Sequence, residues 1–307
     1  DRIPDPTTAG DFCRRFAVED VEILQEVINE IRLKPWSQQG PDFFAEAIID
    51  ADGTIAETTG ECKAGMDMSY KGLWGYHPLV VSLSNTGEPL YLCNRSGNCT
   101  SSEKAAHYLN KAATLCRRAG FRKIRFRGDT DFSQTEYLDG WDDQGITFVF
   151  GINAMPNLVK TAENLPETAW EGLVRPPKYV IKTESRTKPT NVKEQIIKER
   201  EYKNIRLQSE QVAEFEYRPA KCRKSYRVVV LQKNLSIEKG EAVLFDDIRY
   251  FFYITNDRKA TRAEVVGDAN NRCNQENLIE QLKNGVRAMQ MPVDDLVSNW
   301  AYMVMAS

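Results

Sequence analysis

Two apolar runs that each finish in a carboxylate constrain this chain more than any other feature. The first, Phe43 to Thr54, is hydrophobic through Ile49, then acidic at Asp50 and Asp52, then turns at Gly53-Thr54. The second, Lys123 to Asp129, also ends in acid. Short, nearly continuous apolar runs read as buried strands. An acid closing such a strand belongs where the sheet opens to solvent, because a buried unpaired carboxylate is costly. Strand alternation puts Asp50 and Asp52 on one face, so one of the two is the candidate ligand. Asp52 is preferred because the Gly-Thr turn opens space beside it, with Asp50 as the alternative.

The neighbouring segments extend an α/β pattern. His77 to Ser84 and Pro89 to Asn94, around the turn Asn85 to Glu88, predict an antiparallel hairpin. Ser101 or Ser102 is the expected cap of a helix stopping at Gly120. A short helix is expected over 134 to 143 and a strand over 146 to 151. Residues 11 to 39 read as one helix, with Phe12, Phe16, Val21, Leu24, Ile28 and Ile31 as its apolar stripe. From 153 to about 248 prolines and basic residues interrupt the rhythm, and short β pieces are expected. Tyr250 to Thr255 is one more strand. A long helix from about 261 to 284, stopped by Gly285, and a final helix from near Pro292 complete the chain. The order predicts a three-layer α/β core with a mixed sheet. Four parts result: an N-terminal helical segment at 1–40, a first part of the core at 41–152, a basic β-rich insertion at 153–248, and the last part of the core at 249–307.

With 307 residues the chain can hold more than one structural unit. It starts at Asp1-Arg2-Ile3-Pro4 and stops within an apolar run, which reads as a piece of a longer protein. No apolar run approaches bilayer length, so no membrane partner is expected. Seven scattered cysteines fit reduced thiols in a cytoplasmic protein. With His77 and His107 as its only histidines, the chain leaves metal chemistry to carboxylates, which favours magnesium or manganese. The net charge of -3 conceals a basic stretch: residues 171–240 carry 17 Lys and Arg against 9 Glu, or +8, leaving -11 elsewhere. Such a stretch can be an electrostatic footprint for nucleic acid or simply solvated surface.

Within the long predicted helix, offsets of four and seven residues put Arg272, Glu276 and Lys283 on one stripe. Taken alone, that stripe is an ordinary salt-bridged helix face. Each of Asp52, Asp129 and Glu276, taken alone, is more often a turn or cap residue than a ligand. Jointly they place three carboxylates at the ends of separate elements, as two-metal phosphoryl transfer requires. Arg95, in the turn after the third strand, is a candidate phosphate contact or a plain polar turn residue. Asp131 is a helix cap or a support for a metal site. Tyr70, Trp74, Tyr76 and His77 form an aromatic cluster suited to core packing first and base stacking second.

Asp-Gly-Thr at 52–54, Arg-Gly-Asp-Thr-Asp-Phe at 127–132, and the Arg272, Glu276, Lys283 register resemble DDE transposases of bacterial insertion sequences. The likeness is to the subgroup with a Tyr-x-x-Arg-x-x-x-Glu-x-x-x-x-x-x-Lys signature and a β-strand insertion before the last catalytic acid. It covers about residues 40 to 300. The resemblance implies an RNase H-like mixed five-stranded sheet flanked by helices, with Asp52, Asp129 and Glu276 as catalytic ligands of two magnesium ions, or manganese in their place. Water would nick the transposon end, and the freed 3'-hydroxyl would attack target DNA. Arg272 and Lys283 would contact DNA phosphates. The basic insertion would lie along double-stranded DNA and take part in handling a hairpin or strand-transfer intermediate. A homodimer in the DNA complex and a place at the bacterial nucleoid are implied as well. Ala269 stands where the signature has Tyr, which removes an aromatic and hydroxyl contact to the DNA end. Two alternatives follow: a transposase-derived DNA-binding protein that no longer cuts, or an RNase H-like nuclease that cuts without joining.

Overall fold

A computed structural model describes residues 5–60, 62–175, 191–240 and 242–307. Its helices in chain order are α1 (Pro6–Cys13), α2 (Val18–Trp36), α3 (Ala105–Ala119), α4 (Thr135–Asp143), α5 (Pro156–Glu163), α6 (Val192–Glu199), α7 (Arg262–Asn270), α8 (Cys273–Glu280) and α9 (Leu296–Ala306). Its strands are β1 (Ala47–Gly53), β2 (Ala56–Glu57), β3 (Asp67–Met68), β4 (Trp74–Tyr76), β5 (Leu79–Leu83), β6 (Glu88–Cys93), β7 (Ile124–Gly128), β8 (Ile146–Ile152), β9 (Glu171–Gly172), β10 (Lys203–Tyr217), β11 (Tyr226–Lys239) and β12 (Ala242–Thr255). The chain forms two compact units, one of residues 1–151, 218–225 and 268–307, the other of residues 152–217 and 226–267.

In the first unit the strand order is β6-β5-β1-β7-β8. β5 runs antiparallel to both of its neighbours, β6 and β1, while β1, β7 and β8 are parallel. This is the mixed five-stranded sheet expected of an RNase H-like core. One face is apolar: Ile49 lies opposite Phe126, and Phe126 opposite Phe148, all fully buried. Trp141 of α4 meets Phe126 edge-on at 5.2 Å, and its indole N–H donates to Asn110 of α3 at 2.8 Å. Burying such rings drives helix onto sheet. The opposite face carries Asp50, Asp52 and Arg127.

The single helix expected over 11–39 is two, α1 and α2, and its buried stripe differs from the apolar one. α2 buries Val21, Gln25, Asn29 and Trp36 and leaves Ile31 exposed, as α1 leaves Phe12. The reason is the edge strand β6, whose outward backbone groups need partners. Gln25 Oε1 accepts from Leu92 N–H at 2.7 Å, Asn29 donates to the Leu90 carbonyl at 3.1 Å, and Trp300 of α9 donates to the Leu92 carbonyl at 2.6 Å. Polar residues on the inner face therefore finish the sheet.

α3 begins after Lys104, which is left-handed (φ 60°), not at a serine cap, and it ends as expected at Gly120 (φ 106°). The final helix starts at Asp295, whose carboxylate accepts from the Val297 and Ser298 N–H groups, three residues beyond Pro292. The long helix expected over 261–284 is broken. α7 ends at Asn270, Arg272 caps α8, and a π-helical turn over Gln281–Gly285 follows. At the break the Asp268 carbonyl accepts from Asn271 N–H and from the Arg127 guanidinium, so the backbone bonding that would continue the helix is diverted.

In the second unit β12-β11-β10-β9 form an antiparallel sheet. Its long strands bury Val228 to Leu231, Val212, Ala213, Phe252 and Ile254. The stretch Tyr250 to Thr255, expected as a core strand, is the end of β12 and lies in this unit. Much of the basic charge read from the sequence is paired here: Arg175 with Glu210 (2.8 Å), Arg206 with Glu238 (2.7 Å), Lys233 with Glu210 (3.4 Å) and Arg227 with Glu214 (2.5 Å). Residues 176–190, which belong to the expected basic insertion, lie outside the described residues.

Candidate active site

The parallel register of β1 and β7 sets the site. It places Asp50 opposite Arg127. The two form a bidentate pair, Nε to Oδ1 at 2.7 Å and Nη2 to Oδ2 at 2.8 Å, with Asp50 fully buried and Arg127 3% exposed. Arg127 also donates to Ser84 Oγ (2.8 Å) and to Asp268 Oδ1 (2.9 Å), and Arg125 reaches Asp268 Oδ2 at 3.0 Å. Asp50, the alternative ligand, is thus taken up in a buried ion pair that fastens the end of α7 to the sheet.

Asp50 and Arg127 are 77 residues apart, and so are Asp52 and Asp129. The pairing of β1 with β7 ends at Asp50 and Arg127: Asp52 lies two residues farther along β1 and Asp129 just past the end of β7, close enough for its charge to be felt at Asp52. Their electrostatics agree. The Asp52 carboxyl is raised from 3.8 to about 6, first by burial, then by Asp129 and least by Glu276, against Arg272 and the Gly53 N–H. Asp129 is also raised, first by burial, against the Asp131 N–H and Arg272 that favour its charged form. Its Oδ1 accepts from Asp131 N–H at 2.9 Å, capping the 3-10 turn Thr130–Phe132. Asp131 itself is exposed. Bare backbone is needed next to it: a Cβ on Gly151 would lie 2.9 Å from Thr130 N.

Gln275, which the apolar pattern does not reveal, seats α8 on this face. It is 1% exposed; its amide donates to the Val80 carbonyl at 3.0 Å and its oxygen accepts from Ser82 Oγ. Ser82 and Val80 lie across β5 from Asp50 and Asp52. Glu276, one residue on, is exposed. The break falls before the Arg272, Glu276, Lys283 stripe: Arg272 is the N-cap of α8, Glu276 lies in its first turn and Lys283 in the π-helical turn that follows it. Arg272 Nε donates to the Ala269 carbonyl at 3.2 Å, and Lys283 Nζ donates to the Ile55 carbonyl at 2.8 Å. Among the described residues, no group of three or more acids, histidines or cysteines is close enough to hold a metal ion together.

Arg95 differs from the expectation of a phosphate contact. It is 2% exposed and donates to the carbonyls of His77 (2.8 Å), Ser101 (2.8 Å) and Glu103 (2.7 Å), so it ties a loop together. A buried guanidinium spends its donors on carbonyls because leaving them unmade is expensive. His77 is also buried, its imidazole held neutral by burial and by Arg95.

The family model described as transposase DDE domain group 1 matches residues 10–307. The chain belongs to the DDE transposase family. No curated protein sequence matches it. Among solved structures, the DDE domain is similar to a chain of the cryo-EM structure of a piggyBac transposase synaptic complex with hairpin DNA. The identity is 9% and the TM-score 0.43, over 94% of this chain and 50% of that one. The domain therefore spans about half the length of that chain. Among its described residues, no helix is long and apolar enough to cross a membrane.

Proposed function

We propose that this domain cuts DNA at transposon ends and joins the freed 3'-hydroxyl to target DNA, with Asp52, Asp129 and Glu276 as its catalytic carboxylates. The observation that carries the reading is the coupling of Asp52 to Asp129, Arg272 and Glu276 at one rim of the sheet. Asp52 and Asp129 are half-buried carboxyls that burial disfavours as anions, and Asp129 adds like charge to Asp52. That donor set fits a hard divalent cation, which would compensate the charge where protein cations only partly do. Asp52 and Asp129, completed by Glu276, would hold two magnesium ions, or manganese in their place. Bound there, the ions supply activation of the attacking oxygen and charge neutralisation at the leaving oxygen.

The chain's own residues do the rest. The Asp50 and Arg127 pair fastens β1 to β7, and Gln275 seats α8 on β5, so the elements that carry the three acids are held together. Arg272, facing both aspartates electrostatically, is placed to grip a phosphate oxygen of the cleaved strand, and Lys283, in the π-helical turn after α8, contacts the DNA end. Residues 153–248 serve as the insertion that lies along double-stranded DNA. The acting form is a homodimer on paired ends, working at the bacterial nucleoid. Metal-dependent cleavage of DNA bearing the element's ends, compared between the wild type and Glu276→Gln, tests the reading. We expect a loss of at least a hundredfold in Glu276→Gln, and equal activity would remove Glu276 from the mechanism. Joined products separate a transposase from a nuclease that only cuts.

One observation favours a second reading, a transposase-derived DNA-binding protein. Ala269, where the signature has Tyr, is a buried methyl at the end of α7 and offers no hydroxyl to a DNA end. DNA binding without cleavage in the same assay would select it.

A further inference from the structure

A second surface of the first unit lies just past the acids and is built differently. β2, β4 and β3 form a small antiparallel sheet immediately after β1. Trp74 of β4 is 51% exposed, and Tyr70, at the tip of the hairpin between β3 and β4, is 77% exposed. Large aromatic rings are rarely left so open without a partner to cover them. Trp74, Leu73, Met66, Thr58, Lys63 and Glu57 line a cavity of about 760 Å³. The backbone beneath it is closely packed. A Cβ on Gly75 would lie 2.2 Å from the Ala56 carbonyl oxygen, and one on Gly97 would lie 2.2 Å from that of Asp67. The backbones therefore touch, and Trp74 is presented from a fixed strand.

Three lysines lie around this surface. Lys71 Nζ sits 5.5 Å from the Tyr70 ring centroid, Lys63 lines the cavity, and Lys283 Nζ is anchored on Ile55, three residues beyond Asp52. Lys63 and Lys283 each spend a donor on a carbonyl, of Met291 and Ile55, and an ammonium has three. Glu57 and Glu280 lie beside Lys283, and β3 carries Asp67. A flat apolar surface flanked by lysines and continuous with Asp52 matches the chemistry of an unpaired nucleobase on its phosphate chain. A peptide or lipid would not need the stacked geometry.

Resting on the function proposed above, we propose that Trp74, with Tyr70 beside it, stacks on an unpaired base of the DNA strand, while Lys63, Lys71 and Lys283 neutralise its phosphates. The site is a base-stacking positioning surface and leaves the reacting atoms to the carboxylates.

The test uses the full chain and a fifteen-residue oligothymidylate in buffer containing chelator, so that binding is read without cleavage. Binding is followed by anisotropy of a labelled strand and by tryptophan fluorescence. The wild type is expected to bind with quenching of its emission, and Trp74→Ala to bind on the order of tenfold more weakly with the quenching lost. Trp74→Phe retains most of the affinity but none of the quenching, and this variant decides the matter should Trp74→Ala fail to fold. Unchanged affinity in a folded Trp74→Ala, quenching that persists in Trp74→Phe, or no binding by the wild type would each overturn the proposal. Cleavage by Glu276→Gln is a separate measurement, so the catalytic reading can fail while the stacking result stands.

Discussion

Asp52 and Arg127 show how differently two charged residues on one face can be held. Asp52 keeps its proton to about pH 6 in the fold, against 3.8 unperturbed. Between those values the unfolded chain has released a proton that the folded chain still binds. Stability contributed by this group is therefore present at low pH and lost as pH rises through 6, by up to about 3 kcal/mol. Asp52→Asn should abolish that loss, giving a melting temperature above that of the wild type near neutral pH and a flatter pH profile. Magnesium should raise the wild-type melting temperature at that pH and leave Asp52→Asn nearly unmoved. Arg127 is the opposite case, a buried cation already matched. Arg127→Met would strand the fully buried Asp50 and cost about 3 to 5 kcal/mol, read as a fall in the denaturant midpoint. Asp50→Leu with Arg127→Met should recover most of it, because no uncompensated charge remains.

At the scale of elements, two helices are positioned by amides where apolar periodicity would place hydrocarbon. α2 closes the edge of β6 with Gln25 and Asn29, and α8 is pinned on β5 by Gln275. Gln25→Leu adds apolar surface yet leaves the Leu92 N–H without its acceptor. It should destabilise by about 1 to 3 kcal/mol in thermal melts, where a simple hydrophobic argument expects a gain. The break between α7 and α8 belongs to the same scale. Helical spacing alone aligns Arg272, Glu276 and Lys283, but Asp268 is held by Arg125 and Arg127, and the chain re-enters a helix only at Cys273. The motif therefore starts at the cap of a new helix and runs on into the π-helical turn that holds Lys283.

At the scale of the molecule, charge is less available than composition suggests. Arg206, Arg227 and Lys233 pair with glutamates of their own sheet. Their replacement by Gln should lower the melting temperature while leaving the salt dependence of DNA binding unchanged. Lys71→Gln should instead reduce the slope of log K against log salt by about 0.7 to 0.9, the loss of one neutralised phosphate. The sequence by itself determined the five core strands, their carboxylate ends and the family signature, because buried strands and turns leave short-range patterns of hydrophobicity, glycine and acid. Only the tertiary structure decided which acid is spent in an ion pair, why Arg95 is withdrawn from the surface, and where α8 is seated. Those outcomes depend on partners far away in the chain, Asp268 for Arg127, Ser101 for Arg95 and Val80 for Gln275, and no local periodicity encodes a partner.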